Sequence, residues 1–327
     1  MSFSGRKILF IGIGFYDYEN AIVNRMIERG CDVTAFIDKP YFLRQRPWGG
    51  LFYRIPNAAQ YLQKWHEEKI LNHVKKEKYE QVLIIKGTDY SNDFIRNLRN
   101  ILSNSEFILY EWDSITRYPQ LIERLDYFDK VLSFDRHDAL KFPSIKFRPL
   151  FYRVKEELSN SNDNTYKYDI IFIGLLQSSR LEQIREIQAQ SAANDLKTYT
   201  YLITGFPHWI KLWLKGQSRD IHFRKLSYDK VLKLNMQSLC VLDLPHPDQT
   251  GLTMRSIETL GLDRKLITTG KDVIYYDFFN DEKISIIDQD QPKIDITFIK
   301  ENKDTVSFGS VKNNYSLDKW LDDVLGE

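Results

Sequence analysis

The sequence has little cysteine, no block of charge of one sign and no long apolar run. Its two cysteines, Cys31 and Cys240, lie in strand-like stretches, which indicates neither a disulfide framework nor a zinc site and favours a reducing, cytoplasmic setting. The 46 basic and 45 acidic residues leave a net charge of +1, which argues against nucleic-acid binding. The apolar N-terminal run is too short to cross a bilayer, so it indicates a first strand, and any membrane contact is expected to be peripheral.

What the sequence does contain is a repeated alternation of apolar strands and amphipathic helices. The run KILFIGIGF predicts a central strand buried on both faces, and YDIIFIG repeats its character after a polar linker, Val154–Lys167. This pattern predicts an α/β fold of two Rossmann-like, doubly wound domains, residues 1–152 and 153–327, with a cleft between them.

The most informative stretch runs from Cys240 to Phe279. A buried strand at Val241–Leu244 is followed by a His-Pro loop, a glycine at 251, a helix and a second strand at Lys265–Thr269. Ligands of parallel sheets bind at the carboxyl ends of strands, where helix N-termini gather. We therefore expect a ligand, with a phosphate, near Gln249–Arg255.

Within this stretch, HPDQTGLTMRSIETLGLDRKLITT resembles the donor-nucleotide motif of glycosyltransferases of the GT-B fold. The resemblance implies two Rossmann-like domains, a nucleotide sugar bound mainly by the second, and a ribose held by the glutamate that matches Glu258. The family pattern often has another glutamate eight residues earlier, where this chain has Thr250. Together with LYEWDS and LSFDRHDA, the motif is similar to bacterial enzymes of lipopolysaccharide core and capsule assembly.

That resemblance implies a metal-independent glycosyltransferase that moves a sugar from a nucleotide-sugar substrate, with no other cofactor, onto a bacterial surface glycan of lipopolysaccharide, capsule or exopolysaccharide type. The partners expected are a nucleotide sugar and a glycan or lipid-linked acceptor, with peripheral contact at the inner membrane and no nucleic acid. No histidine and carboxylate cluster has metal-ligand spacing, and the pair Asp288 and Asp290 is interpreted as a solvated turn.

The donor site is predicted from charge and from free amides at the helix N-terminus, both of which suit a diphosphate. Simpler interpretations stay open: Arg255 could pair with a surface carboxylate, Arg180 with Glu182, and Glu258 could be an exposed helix residue. Lys225 could be solvated and His246 a plain loop residue. The predicted donor-binding residues are Gln249, Thr250, Gly251, Thr253, Arg255, Glu258, His246, Arg180 and Lys225.

A base near the acceptor is expected in the first half, because the acceptor hydroxyl must lose a proton as the new bond forms. Asp113 is the first candidate, since it directly follows a buried aromatic strand, and Asp89, Asp17 and His137 are the others. Asp113 and Asp89 could instead cap the helices that follow them.

Two other functions remain open at this point. A non-catalytic nucleotide-binding or sugar-binding protein would share the two-domain pattern. An NAD-linked enzyme is disfavoured, because Gly12 and Gly14 begin a dinucleotide fingerprint but Asp17 stands where its third glycine belongs.

Overall fold

The structure is a computed structural model that describes residues 3–14, 18–44, 48–153, 166–177, 180–246, 249–301 and 307–326. The chain divides into two compact units. Unit 1 comprises Met1–Pro149 together with Leu317–Glu327, and unit 2 comprises Leu150–Ser316.

Unit 1 is built on a six-stranded parallel sheet in the order β2-β1-β3-β4-β5-β6. The order reverses direction at β1 and β3, which is the kind of switch point where open α/β sheets bind ligands. The strands are β1 (Lys7–Gly12), β2 (Asp32–Ile37), β3 (Gln81–Ile85), β4 (Glu106–Glu111), β5 (Lys130–Ser133) and β6 (Ile145–Phe147). The helices are α1 (Tyr18–Glu28), α2 (Tyr41–Arg44), α3 (Trp48–Phe52), α4 (Ala58–Val74), α5 (Asn92–Ile101) and α6 (Arg136–Lys141), with 3₁₀ turns at Ile115–Arg117 and Pro119–Tyr127.

Unit 2 repeats this plan with a second six-stranded parallel sheet, in the order β12-β11-β10-β7-β8-β9. Its switch point lies between β7 and β10. The strands are β7 (Tyr168–Leu175), β8 (Thr198–Ile203), β9 (Ile221–His222), β10 (Ser238–Asp243), β11 (Lys265–Thr268) and β12 (Ile284–Ile286). The helices are α7 (Arg180–Ala192), α8 (Phe206–Leu214), α9 (Tyr228–Met236), α10 (Met254–Gly261) and α11 (Ile296–Lys300), with 3₁₀ turns at Lys271–Tyr275 and Gly309–Tyr315.

The last helix, α12 (Leu317–Leu325), belongs to unit 1. The domains predicted from the sequence, residues 1–152 and 153–327, had only one boundary and placed this helix in the second domain. Its Trp320 is fully buried and meets the ring of Tyr110 edge-on, with 4.8 Å between ring centroids. Asp318 accepts two hydrogen bonds from Arg25 of α1, at 2.7 and 2.8 Å. Contacts between residues so far apart in the chain cannot be predicted from the local sequence pattern.

The predicted pair of doubly wound parallel sheets is confirmed. Strands such as β3, which is apolar except for Gln81, are buried along their whole length, as expected when helices cover both faces of a sheet. Local details go beyond the alternation of strands and helices that the sequence indicated. The stretch 39–56 contains the short helices α2 and α3, and residues 114–125 form mainly 3₁₀ turns.

Both cysteines are buried, each at or near a strand. Within the described ranges, no helix combines the length and apolarity needed to cross a membrane. Most of the predicted linker, residues 154–165, lies outside the described residues.

Candidate functional site

The predicted donor region is organised by Asp243, the last residue of β10, which is 1% exposed. Its carboxylate accepts hydrogen bonds from Arg255 Nη1 at 2.7 Å, Thr253 Oγ1 at 2.6 Å and Ser256 Oγ at 2.5 Å. A buried carboxylate is tolerated only when it is paired and hydrogen-bonded, and here all three donors come from the start of α10. Asp243 therefore fixes the N-terminus of α10 against the end of β10.

The loop before α10 is held by its own hydrogen bonds. The backbone N–H of Gln249 donates to the carbonyl of His246, and the side-chain Nε2 of Gln249 donates to the carbonyl of Gly251, both at 2.9 Å. Thr253 is the N-cap of α10, and its hydroxyl accepts a hydrogen bond from the Ser256 amide at 3.3 Å. The helix start predicted after Gly251 is present, with one amide of its first turn already satisfied by the cap.

Arg255 and Arg180 lie on the same aromatic ring. Their guanidinium carbons are 4.8 and 5.8 Å from the ring centroid of Phe172, in β7. Burial, and then the charge of Arg255, lower the pKa of Arg180 to about 10, which leaves it positively charged at neutral pH. Two guanidinium groups thus lie beside the Asp243 carboxylate at this end of β7 and β10.

Both arginines are held by backbone carbonyls. Arg255 Nη2 donates to the carbonyl of Ile173 at 2.6 Å, and Arg180 donates to those of Leu175 at 2.9 Å and Leu244 at 2.5 Å. The partner of Arg255 is thus the buried Asp243 and not a surface carboxylate. Each guanidinium group carries five N–H donors, so these bonds leave capacity for a phosphate.

Glu258 is 7% exposed, so the alternative of an exposed helix residue is wrong. Its carboxylate lies close to the hydroxyl of Tyr228 in α9, and the Arg153 guanidinium carbon lies 3.5 Å from the centroid of the Tyr228 ring. Burial, and then the negative charge of Glu258, raise the pKa of Tyr228. A ribose that binds Glu258 must therefore share or displace the Tyr228 hydroxyl.

Lys225 and His246 lie at different distances from the end of β10. Lys225 is exposed in the loop after β9, three strands from β10 in the sheet order and thus roughly 14 Å across the sheet, at about 4.8 Å per strand. His246 is partly buried and follows β10 directly, near the residues that surround Asp243. Of these two, His246 is the closer to the predicted phosphate position.

In unit 1, Asp89 is paired with a residue that the sequence analysis did not select. Asp38 is 5% exposed and its carboxyl lies close to that of Asp89, and Lys39 Nζ lies 3.1 Å from Asp89 Oδ1. Burial, and then the neighbouring Asp89 carboxyl, raise the pKa of Asp38 to about 7. Asp38 follows β2 and Asp89 follows β3, so the pair flanks the end of β1 at the switch point.

Asp113, the first candidate for the base, forms an ion pair with Lys86, which follows β3 and has a φ of 68°. Burial lowers the pKa of Lys86, but the hydrogen bond and charge of Asp113 outweigh this effect and raise it overall. The capping alternative for Asp113 is wrong, because the Ile115 amide donates to Asp138 Oδ2 at 3.0 Å.

Asp89 is likewise not the cap of α5. Ser91 is the N-cap, and its hydroxyl accepts from the Phe94 amide at 3.0 Å. His137 is exposed in the first turn of α6, where its amide donates to Asp135. Asp17 lies outside the described residues.

A second acidic residue that the sequence analysis missed is Glu111, at the carboxyl end of β4. It is completely buried, and neither of its carboxyl oxygens has a hydrogen-bond partner among the described residues. Burial, and then the charges of Asp113 and Asp138, raise its pKa well above the ordinary value. Its surroundings therefore favour the uncharged form of the Glu111 carboxyl.

The glycines of the first strand turn do not leave an open ligand space. A Cβ at Gly12 would lie 2.4 Å from Cγ of Glu19, and Gly14, with φ 69°, lies against Arg44. Glu19 instead accepts a hydrogen bond from the Ile13 amide at 2.9 Å. A carboxylate stands where a dinucleotide phosphate would approach, which argues further against an NAD-linked enzyme.

The Asp288 and Asp290 pair forms a local turn, in which Asp288 Oδ1 accepts from the amides of Asp290 and Gln291 at 2.9 and 3.0 Å. These bonds lower the pKa of Asp288. Across the described ranges, no group of three or more His, Cys, Asp or Glu side chains could hold a metal ion.

No protein-family model and no curated protein sequence matches this chain. Solved structures do match it over nearly their whole length. The UDP-GlcNAc 2-epimerase of Methanocaldococcus jannaschii, in complex with UDP-GlcNAc and UDP, has 12% identity and a TM-score of 0.54, covering 97% of this chain and 99% of that one. Sucrose-phosphate synthase of Thermosynechococcus elongatus has 12% identity and a TM-score of 0.59, covering 96% of each chain.

A UDP-forming α,α-trehalose-phosphate synthase of Burkholderia xenovorans, in complex with glucose-6-phosphate, has 12% identity and a TM-score of 0.62, covering 98% of this chain and 99% of that one. At this level of identity the likeness concerns the fold alone. Together with the two six-stranded parallel sheets described above, it shows that this chain has the GT-B fold of two Rossmann-like units.

Proposed function

We propose that the protein is a glycosyltransferase that moves a sugar from a nucleotide-sugar donor to an acceptor hydroxyl. The observation that carries this proposal is the junction of β10 and α10 in unit 2, where Asp243, Thr253, Arg255 and Arg180 place a helix N-terminus and two cations at the switch point of a parallel sheet. The fold neighbours support it, because one is in complex with UDP-GlcNAc and another is described as UDP-forming.

The donor diphosphate would bind at the start of α10, in contact with the residues from Gln249 to Thr253. Arg255 and Arg180 would stabilise the negative charge that grows on the leaving nucleotide diphosphate as the sugar–phosphate bond breaks. Glu258 would bind the ribose, in exchange for part of its contact with Tyr228. His246 would lie beside the phosphates, and Lys225 would contact a more distant part of the donor.

The acceptor would bind to unit 1. As its oxygen bonds to the anomeric carbon, its proton would pass to a carboxylate, and the Asp38–Asp89 pair fits this role better than Asp113. Asp113 is engaged in an ion pair with Lys86. The pair instead has a pKa of about 7 on Asp38, close to the pH at which a general base works best. Asp113, and Asp17 outside the described residues, remain proposed contributors.

The finer parts of the proposal concern setting and chemistry. The acceptor would be a bacterial surface glycan, free or lipid-linked, of lipopolysaccharide, capsule or exopolysaccharide type, and the enzyme would work in the cytoplasm with peripheral contact at the inner membrane. The reaction would need neither a metal nor a cofactor, since the helix N-terminus and the two arginines would supply the positive charge that a metal supplies elsewhere.

Incubation with a panel of nucleotide sugars and glycan acceptors tests the activity, with the released nucleotide and the glycan product both measured. Asp89→Asn should abolish transfer while donor binding persists, and Asp288→Asn is the matched control at an exposed turn. If donors bind but neither nucleotide nor product is released with any acceptor, the protein is instead a non-catalytic binder of nucleotide sugars.

A further inference from the structure

Helix α8 of unit 2 carries a row of large apolar side chains that face solvent. Phe206, Trp213 and Leu214 are 52%, 58% and 72% exposed. The helix attaches to the unit through Leu212, which is 9% exposed, and through the half-buried Trp209, whose Nε1 donates to the carbonyl of Ile221 at 3.0 Å. The helix is thus anchored to the unit while it presents large apolar side chains to solvent.

The exposed rings form a continuous surface. Ring centroids are 6.2 Å apart between Phe206 and Trp209, and 6.5 Å apart between Trp209 and Trp213. Phe223, which follows β9, closes the row at 5.1 Å from Phe206 and 5.0 Å from Trp209. Tryptophan and phenylalanine in such a row are typical of side chains that settle at the boundary between lipid headgroups and acyl chains.

The charges around this row are almost all of one sign. Residues 205–226 contain five basic residues and one acidic residue, although the whole chain is nearly balanced. The acidic residue, Asp220, is 3.0 Å from Arg185 Nη1 and 3.8 Å from Arg219 Nε, so its charge is compensated. The basic residues of the segment are Lys211, Lys215, Arg219, Arg224 and Lys225, and all of them are exposed.

We propose that the α8 surface, namely Phe206, Trp213, Leu214 and Phe223 with the surrounding basic side chains, docks the protein on an anionic lipid bilayer. Apolar burial favours insertion of the rings, and attraction to acidic headgroups adds to it, which is the combination that interfacial helices use. This inference rests on the peripheral membrane contact within the proposed function, and it names the surface and the lipid chemistry of that contact.

Co-sedimentation of the whole protein with phosphatidylcholine vesicles, with and without phosphatidylglycerol, tests the proposal. The parent should bind the anionic vesicles, and added salt should weaken binding. The double variant Trp213→Ser, Leu214→Ser should lower the partition coefficient by about tenfold or more. Lys211→Glu, Lys215→Glu should lower it by about 30-fold, because each basic residue near an anionic surface contributes roughly a fivefold share.

The matched control is Trp65→Ser in α4, where a tryptophan of unit 1 is 48% exposed beside Lys69. It should leave vesicle binding unchanged. If the parent does not bind anionic vesicles, or if Trp65→Ser reduces binding while the α8 variants do not, the assignment to α8 is overturned. It is also overturned if the α8 variants convert a dimer to a monomer, since the occupant would then be a second copy.

The melting temperature of each variant, with and without a nucleotide sugar, separates the possible failures. The α8 substitutions lie at exposed positions, so they should alter neither the melting temperature of the protein alone nor its melting temperature with a nucleotide sugar. Nucleotide-induced stabilisation without vesicle binding would overturn the docking surface alone, whereas vesicle binding without any nucleotide effect would overturn the proposed transferase.

Discussion

The carboxyl groups of Asp38 and Asp89 lie close together beside the end of β1, with Lys39 Nζ 3.1 Å from Asp89 Oδ1. The two residues follow β2 and β3, the strands on either side of β1, so the pair lies where the strand order of unit 1 reverses. Such a pair titrates as a unit and holds one proton more readily than two isolated carboxyls do.

This pair predicts the pH dependence of the proposed activity. A general base must be unprotonated, so kcat/KM should rise with pH, with an apparent pKa of about 7, and then reach a plateau. Asp38→Asn should remove or displace that rise, whereas Asp288→Asn should not. A profile with the same rise in the Asp38→Asn variant would show that another group is the base.

The same pair predicts how folding stability varies with pH. The pKa of Asp38 is raised in the folded state above its ordinary value, so the folded protein holds a proton that the unfolded chain has lost. The free energy of unfolding should therefore fall as the pH rises from about 4 to about 7, by up to about 1.4 kcal/mol for each unit of pKa shift. The charged groups that act on Asp38 are Asp89 and Lys39.

Denaturant unfolding of the parent and of Asp38→Asn at several pH values measures this effect. The variant carries no titrating group at position 38, so its unfolding free energy should vary less with pH than that of the parent. Parallel curves would mean that Asp38 is not protonated in the folded state.

Substitution of Asp243 should lower the free energy of unfolding more than substitution of any other residue of the donor site. Replacing it with alanine leaves the buried end of Arg255 and the hydroxyls of Thr253 and Ser256 without their acceptor. Breaking a buried charged pair costs about 3–5 kcal/mol, whereas Thr253→Ala, which removes the cap, should cost about 1 kcal/mol. Equal losses for the two variants, measured by denaturant unfolding, would contradict the central place of Asp243.

Removal of metal ions should leave the activity intact. The proposed transfer uses the N-terminus of α10 together with Arg255 and Arg180 as its positive charge, so a chelator should not change the rate of nucleotide release. Arg180→Gln should lower that rate instead. Loss of activity with a chelator, and recovery on adding a divalent cation, would overturn metal independence.

The sequence predicted the fold well because parallel sheets covered on both faces need continuous apolar strands, and β1, β3, β7 and β10 are such strands. It predicted the start of α10 because glycine and threonine mark a helix N-terminus locally. These are features that neighbouring residues determine.

What the sequence could not predict depends on contacts between distant segments. Gly261 is one example, because a Cβ there would lie 2.4 Å from the ring of Tyr152, so this position needs glycine for close packing. Asp243 and Asp38 were not selected as site residues, because only the fold shows which side chains surround them. The sequence did offer one sign for both, since each is an acidic residue that ends or directly follows a buried strand.

The most direct test of the central claim is thermal stability measured against UDP, GDP, CMP, dTDP and ADP and their sugars, in the parent, Glu258→Ala and Tyr228→Phe. A ligand that binds only the folded state raises the melting temperature by mass action. We predict that one nucleotide class, with UDP the first expectation, stabilises the parent and Tyr228→Phe but not Glu258→Ala. Stabilisation by none of them, or an equal shift in Glu258→Ala, would contradict a nucleotide-sugar site at α10.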